Sequence, residues 1–168
     1  FNNPIDVAIR KAHADPSNSF TVQTDSPYDF IRKRLTVQVK NNLGSLAITK
    51  GALNIILDIC DKVETAGGAT VALSEHRENI QEQYRQLSDA GFRTLGIAYK
   101  PGDAAHNFSR SDEQGMTFLG FVTLFDPPKA GMQATIMKLH GLGVQLKIIT
   151  GDNALVAKSL ATQIGLKA

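Results

Sequence analysis

The chain has 168 residues, 42% apolar and 20% charged, with a formal net charge of +2. That length suits one substantial domain, or a small domain with part of another, and the small net charge with scattered Lys and Arg argues against a nucleic-acid surface. No apolar run approaches the roughly 18 residues that cross a bilayer and no signal peptide opens the chain. The one cysteine, Cys60, excludes an intramolecular disulfide and reads as a buried thiol in a reducing compartment.

Asn3-Pro4 predicts a helix start, an N-cap followed by Pro at the first helical position. Ile5, Ala8, Ile9 and Ala12 share one face of that helix, and Asp6 in its first turn complements the helix dipole. After a polar loop, residues 20–23 read as a short strand and Asp25-Ser26-Pro27 as a turn. Residues 35–39 alternate apolar and polar with β-branched side chains, which predicts a strand with one buried face. Asn41-Asn42-Leu43-Gly44 then makes a hairpin turn into a second strand at residues 46–49.

A helix is expected over residues 53–60, with Leu53, Ile56, Leu57 and Cys60 on one side. A longer helix runs from Ser74 to about Ala90 and ends at Gly91. Residues 94–99 read as a strand, 101–114 as a polar, mobile surface loop, and 116–125 as an apolar strand. Asp126-Pro127-Pro128 stops that strand, because two prolines fix two φ angles and donate no ladder hydrogen bonds. A helix at 129–140 and the stretch Lys147-Ile148-Ile149-Thr150-Gly151-Asp152-Asn153 follow. The latter predicts a buried strand, a turn rich in backbone N–H donors, and a helix capped by Asn153, the arrangement in which open α/β sheets hold ligands. The pattern thus changes at Asp126, from antiparallel strands with interleaved helices to helix–strand–helix. Two domains are expected, 1–125 and 126–168. Phe1 leading directly into a helix signal and an end just after another helix read as a piece of a longer protein.

DPPK at 126–129, TGDN at 150–153 and KGA at 50–52, together with NPIDVAI near the start and PYDFIRKRLTV, form a combination that resembles the cytoplasmic ATP-handling region of P-type ATPases. The resemblance spans the chain. It implies an α/β (α+β) fold: the antiparallel sheet with flanking helices of a nucleotide-binding domain, lacking its N-terminal part, followed by an incomplete parallel α/β segment of the HAD-like phosphorylation domain. KGAL, PYDFIRKRLTV and GLGVQLKIITGDN are most similar to the magnesium-transporting branch, with proton pumps as the alternative. A HAD-superfamily phosphatase with a cap domain is a further alternative, but it needs an Asp-x-Asp nucleophile loop that the chain lacks.

The resemblance also implies roles. Tyr28 takes the place of an adenine-stacking Phe, Asp6 accepts from the adenine amino group, and Lys33, Lys50, Gly51, Arg93 and Leu95 line the nucleotide. Thr150, Gly151 and Asp152 hold the transferred phosphoryl group, and Asp126, Pro127 and Pro128 form a hinge. Judged singly, Lys33 and Arg93 pass for solvated charges, Tyr28 for a turn aromatic, Asp6 for a dipole partner and Lys50 for a strand-end charge. Arg32 and Arg34 could each substitute for Lys33. ATP and Mg²⁺ are the implied cofactors, with no metal site within this chain. The implied partners are the phosphorylation, actuator and membrane domains of the same polypeptide, and the implied setting is the cytoplasmic side of a plasma or inner membrane. The DKTGT phosphorylation sequence and the GDGxND motif are absent, so the fragment is expected to bind nucleotide without turning it over.

Overall fold

The computed structural model describes residues 4–12, 20–103, 105–151 and 153–166. They form two compact units, Phe1–His76 with Leu95–Val122, and Arg77–Thr94 with Thr123–Ala168. Seven strands make one sheet: β1 Thr21–Asp29, β2 Arg34–Asn41, β3 Gly44–Gly51, β4 Cys60–Glu64, β5 Thr70–Ala72, β6 Arg93–Gly102 and β7 Met116–Leu124. Their order is β1-β2-β3-β6-β7-β4-β5. Among the described residues, five α-helices accompany them: α1 Pro4–Ala12, α2 Leu53–Leu57, α3 Arg77–Asp89, α4 Met132–Gly141 and α5 Ala154–Gln163. None of the described helices is long and apolar enough to cross a membrane.

The β2–β3 hairpin forms as its alternation predicts, with Val37 opposite Ile48 and Leu35 opposite Lys50. Its buried face, however, is the polar one. Thr36, Gln38, Ala47 and Thr49 are buried, whereas on the other face Leu35 alone is buried, Val37 and Val39 are half-buried and Ile48 is exposed. Burial of polar side chains is tolerable only where their hydrogen bonds are made. Gln38 shows how: its Nε2 donates to Ser45 Oγ (2.9 Å) and to the carbonyls of Asp103 (3.2 Å) and His106 (2.9 Å). Its Oε1 accepts from Phe108 N (2.8 Å). The segment expected to be a mobile loop is therefore pinned to the sheet by one buried glutamine, and it carries a short 3₁₀ turn at Arg110–Asp112.

Several elements differ from expectation. Asp25, Ser26 and Pro27 do not turn the chain but lie within β1, where the register slips between Ser26 and Asp29. An edge strand tolerates Pro at such an irregularity because the missing N–H interrupts no central ladder. The helix expected over 53–60 stops at Leu57, and Cys60 opens β4 as a half-buried residue. β4 pairs parallel with β7, against the expected all-antiparallel arrangement before Asp126. Beneath the sheet, Leu53, Ile56, Leu57, Val63, Leu73, Ala98, Met116 and Phe118 form the core of the first unit.

In the second unit, α3 ends in a Schellman closure. Gly91, with φ +88°, donates its N–H to Ser88 O (2.9 Å), and Phe92 N reaches Leu87 O (2.9 Å). α3 packs on α5, whose cap Asn153 accepts from Leu155 N (2.9 Å) and donates to Tyr84 Oη (3.0 Å). The strand expected at 146–149 is not formed: residues 144–150 adopt no regular structure, and Ile149 is 98% exposed. An apolar β-branched run becomes a strand only where a partner supplies ladder hydrogen bonds, and none of the described strands pairs with it.

Candidate functional site

The apolar side chains that the hairpin turns away from its buried face line an open cleft of about 350 Å³. Leu35, Val37 and Val39 of β2, Ile48 of β3 and Ile97 of β6 form its floor, and Ile9 of α1 forms its wall. Asp6, Arg10 and Lys50 add charge. An apolar pocket of this size with a few convergent charged groups is the usual form of a small-molecule site. Asp6 and Lys50, 44 residues apart, form a hydrogen-bonded ion pair there, both side chains more than four-fifths shielded from solvent. Arg10 escaped the sequence reading. It lies one helical turn after Asp6, and that i, i+4 spacing places both on one helix face.

Tyr28, in β1, is 49% exposed and meets Phe30 edge-on, with ring centroids 5.4 Å apart. It is not among the residues lining the cleft. Lys33 sits in the turn between β1 and β2 with φ +50°, a left-handed conformation that costs an L-residue about 1–2 kcal/mol. Its backbone is held at both ends: its N–H donates to Asp29 O (2.6 Å), and its carbonyl accepts from Ala52 N (3.1 Å). Gly51 allows that approach, since a Cβ there would stand 2.5 Å from Lys33 O and 2.7 Å from Arg34 Cβ. Within the chain, then, Gly51 is needed because backbone crowds it.

Arg32 and Arg34 are not interchangeable with Lys33. Both turn inward onto Glu113, a residue only 1% exposed. Arg32 Nη1 lies 2.9 and 2.8 Å from the two carboxylate oxygens, Arg34 Nε is 2.7 Å from Oε2, and Thr36 Oγ1 is 2.7 Å from Oε1. Burial pushes the Glu113 carboxyl up, but the hydrogen bonds from Thr36, Arg34 and Arg32 outweigh it and hold the group below its ordinary value. Arg32, in turn, is raised: burial lowers it, and the hydrogen bonds and charges of Glu113 and Asp29 more than offset that. Glu113 was missed because it stands in an aperiodic polar loop. The available signal was Arg32-x-Arg34, two cations two residues apart at a strand lead-in that both need an acid.

Arg93 opens β6 in the second unit, while Leu95, half-buried on the same strand, belongs to the first. Thr150 and Gly151 are exposed, and Asp152 lies outside the described residues. Asp126, Pro127 and Pro128 link β7 to α4 without regular structure. Among the described residues, no group of three or more His, Cys, Asp or Glu is placed to hold a metal ion.

The first unit is thus a mixed sheet with an apolar cleft that bears an Asp–Lys pair. The chain belongs to the family described as P-type ATPase, cytoplasmic domain N, whose profile matches residues 5–131. Among its relatives are a magnesium-transporting ATPase, P-type 1, of Escherichia coli K12, 31% identical over 84% of this chain and 16% of the relative. A calcium-transporting ATPase of Bacillus subtilis is 28% identical over 89% of the chain and 17% of its own length. A putative cation-transporting ATPase of Methanocaldococcus jannaschii is 28% identical over 88% of the chain and 16% of its own length. The chain thus spans about a sixth of the length of these relatives.

Proposed function

We propose that the chain is the ATP-binding cytoplasmic region of a cation-transporting P-type ATPase, presenting ATP to a phosphorylatable Asp elsewhere in the polypeptide. The observation that carries this is the cleft: a largely half-buried aliphatic floor that opens to solvent, with Asp6 and Lys50 paired within it. Exposed contiguous apolar surface of this kind marks a ligand or partner site. Adenine enters against the aliphatic floor, where Asp6 takes its amino group and releases Lys50. Tyr28 stacks on the base, Leu95 packs near it, and Lys33 and Arg93 meet the phosphates. Mg²⁺ arrives with the nucleotide and neutralises phosphate charge.

Domain boundaries at 1–125 and 126–168 follow from the same reading, the latter a piece of a HAD-like phosphorylation domain tethered by the Asp126-Pro127-Pro128 hinge. There Thr150, Gly151 and Asp152 receive the γ-phosphoryl group. In the intact protein an Asp carboxylate oxygen bonds to the γ-phosphorus as the bond to the β–γ bridging oxygen breaks, and ADP leaves. The membrane domain that uses this energy, and the plasma or inner membrane around it, belong to the whole polypeptide. Magnesium is the proposed cargo, supported by KGAL, PYDFIRKRLTV and the one magnesium-transporting relative named above.

The test is ATP titration of the chain and of Lys50→Ala and Tyr28→Ala variants. Millimolar-range binding, weakened in both variants, is expected. Wild-type affinity in the Lys50→Ala variant would sink the assignment of the cleft.

A further inference from the structure

Three cations stand in a row at the β1–β2 turn, and the structure treats them differently. Arg32 and Arg34 are committed to the buried Glu113 carboxylate, which accepts four hydrogen bonds from Arg32, Arg34 and Thr36. Lys33 between them is exposed. Arg32 is anchored further, with Nη2 2.9 Å from Ser26 Oγ and 3.3 Å from Pro27 O.

We propose that Glu113 is a positioning residue for the nucleotide site: by fixing Arg32 and Arg34 inward, it selects Lys33 as the cation presented to the phosphates of a nucleoside triphosphate. The inference rests on the ATP-binding reading above. Three adjacent like charges on one turn repel, and nothing in the sequence decides which of them faces outward. The buried carboxylate does decide it, because Arg32 reaches it with Nη1 while its Nε and Nη2 hold Asp29, Ser26 and Pro27, a spread of donors that a lysine ammonium lacks. The left-handed backbone of Lys33 supports this. A non-glycine residue keeps such a conformation only where its surroundings over-determine it, and here Glu113 holds both neighbours while Asp29 and Ala52 hold the peptide. The same network reaches the other cation of the site. Thr36 Oγ1 lies 2.8 Å from Thr49 Oγ1, the residue before Lys50.

The test is titration of the 168-residue chain with ATP and, separately, with adenosine, followed by NMR, for wild type, Glu113→Gln, Lys33→Ala and the double variant. Glu113→Gln keeps the side-chain shape and removes the charge. Either single change is expected to raise the ATP Kd about fivefold, the double variant no further, and the adenosine Kd is expected to stay unchanged. Should Glu113→Gln not fold, Arg32→Lys keeps the charge, loses the fork, and carries the same expectation. The proposal is overturned if ATP affinity is unmoved, if adenosine affinity falls in step with it, or if the two changes add fully. A wild-type chain that binds neither ligand contradicts the ATP-binding reading itself, and the proposal falls with it.

Discussion

Val37, Val39 and Ile48, with the buried Leu35 beneath them, line an open cleft, whereas Thr36, Gln38, Ala47 and Thr49, on the opposite face of the same hairpin, are all buried. Apolar surface left accessible is surface available to a ligand. Polar surface taken out of water must find all its partners inside, and Gln38, Thr36 and Glu113 do so across chain separations of 65 to 81 residues. One face therefore supplies binding and the other supplies order. Their functions are joined at the strand ends, where Lys50 and Gly51 follow Thr49, and Lys33 precedes Arg34.

The sharpest way to break this comparison is to damage the buried face. Glu113→Ala takes the acid from Arg34 and leaves Arg32 with Asp29 alone, both with most of their side-chain surface shielded, and is expected to cost about 3–5 kcal/mol in urea unfolding. A loss under 1 kcal/mol would mean the face is wetter than described. The pH dependence has a definite sign. Because Glu113 lies below its ordinary value of 4.5, its contribution is full above that value and drains away as pH falls below it. Thermal midpoints followed downward from pH 6 should fall, and the part due to this group should be missing in Glu113→Gln.

Next in size is Gly51→Ala, which puts a Cβ 2.5 Å from Lys33 O and 2.7 Å from Arg34 Cβ. An overpacking cost of about 1–3 kcal/mol is expected by chemical denaturation. Smaller still, Val37→Thr on the cleft face should change stability by less than about 1 kcal/mol yet weaken ATP binding, the reverse of what a core valine would show. The smallest effect belongs to Ile149→Ser, within about 0.5 kcal/mol of wild type, since Ile149 is almost wholly exposed.

That last prediction separates what the sequence could reveal from what it could not. Alternation placed the β2–β3 hairpin and its register, because a period of two is a local property. It could not say which face the rest of the chain would cover, and the covering residues Asp103, His106, Phe108 and Glu113 lie in an aperiodic stretch. The run ending in Ile148 and Ile149 has the composition of a buried strand, but a strand also needs a neighbour, and periodicity is silent about neighbours. Pro27 reads as a turn signal and instead sits in an edge strand. β4 was hidden because its Asp61, Lys62 and Glu64 give no alternating pattern, and its parallel partner β7 begins 56 residues after Cys60. Of the site residues, Asp6 and Lys50 were legible singly and their pairing was not.

Whether the apolar cleft holds a nucleotide is tested most directly by an NMR titration of the 168-residue chain with ATP at millimolar concentration. Graded shifts of the Lys50, Ile48, Ile97 and Leu35 amides are expected, with those of the buried core around Phe118 unmoved. Saturable ATP binding that leaves the Lys50 and Ile48 signals in place would contradict the assignment of the cleft.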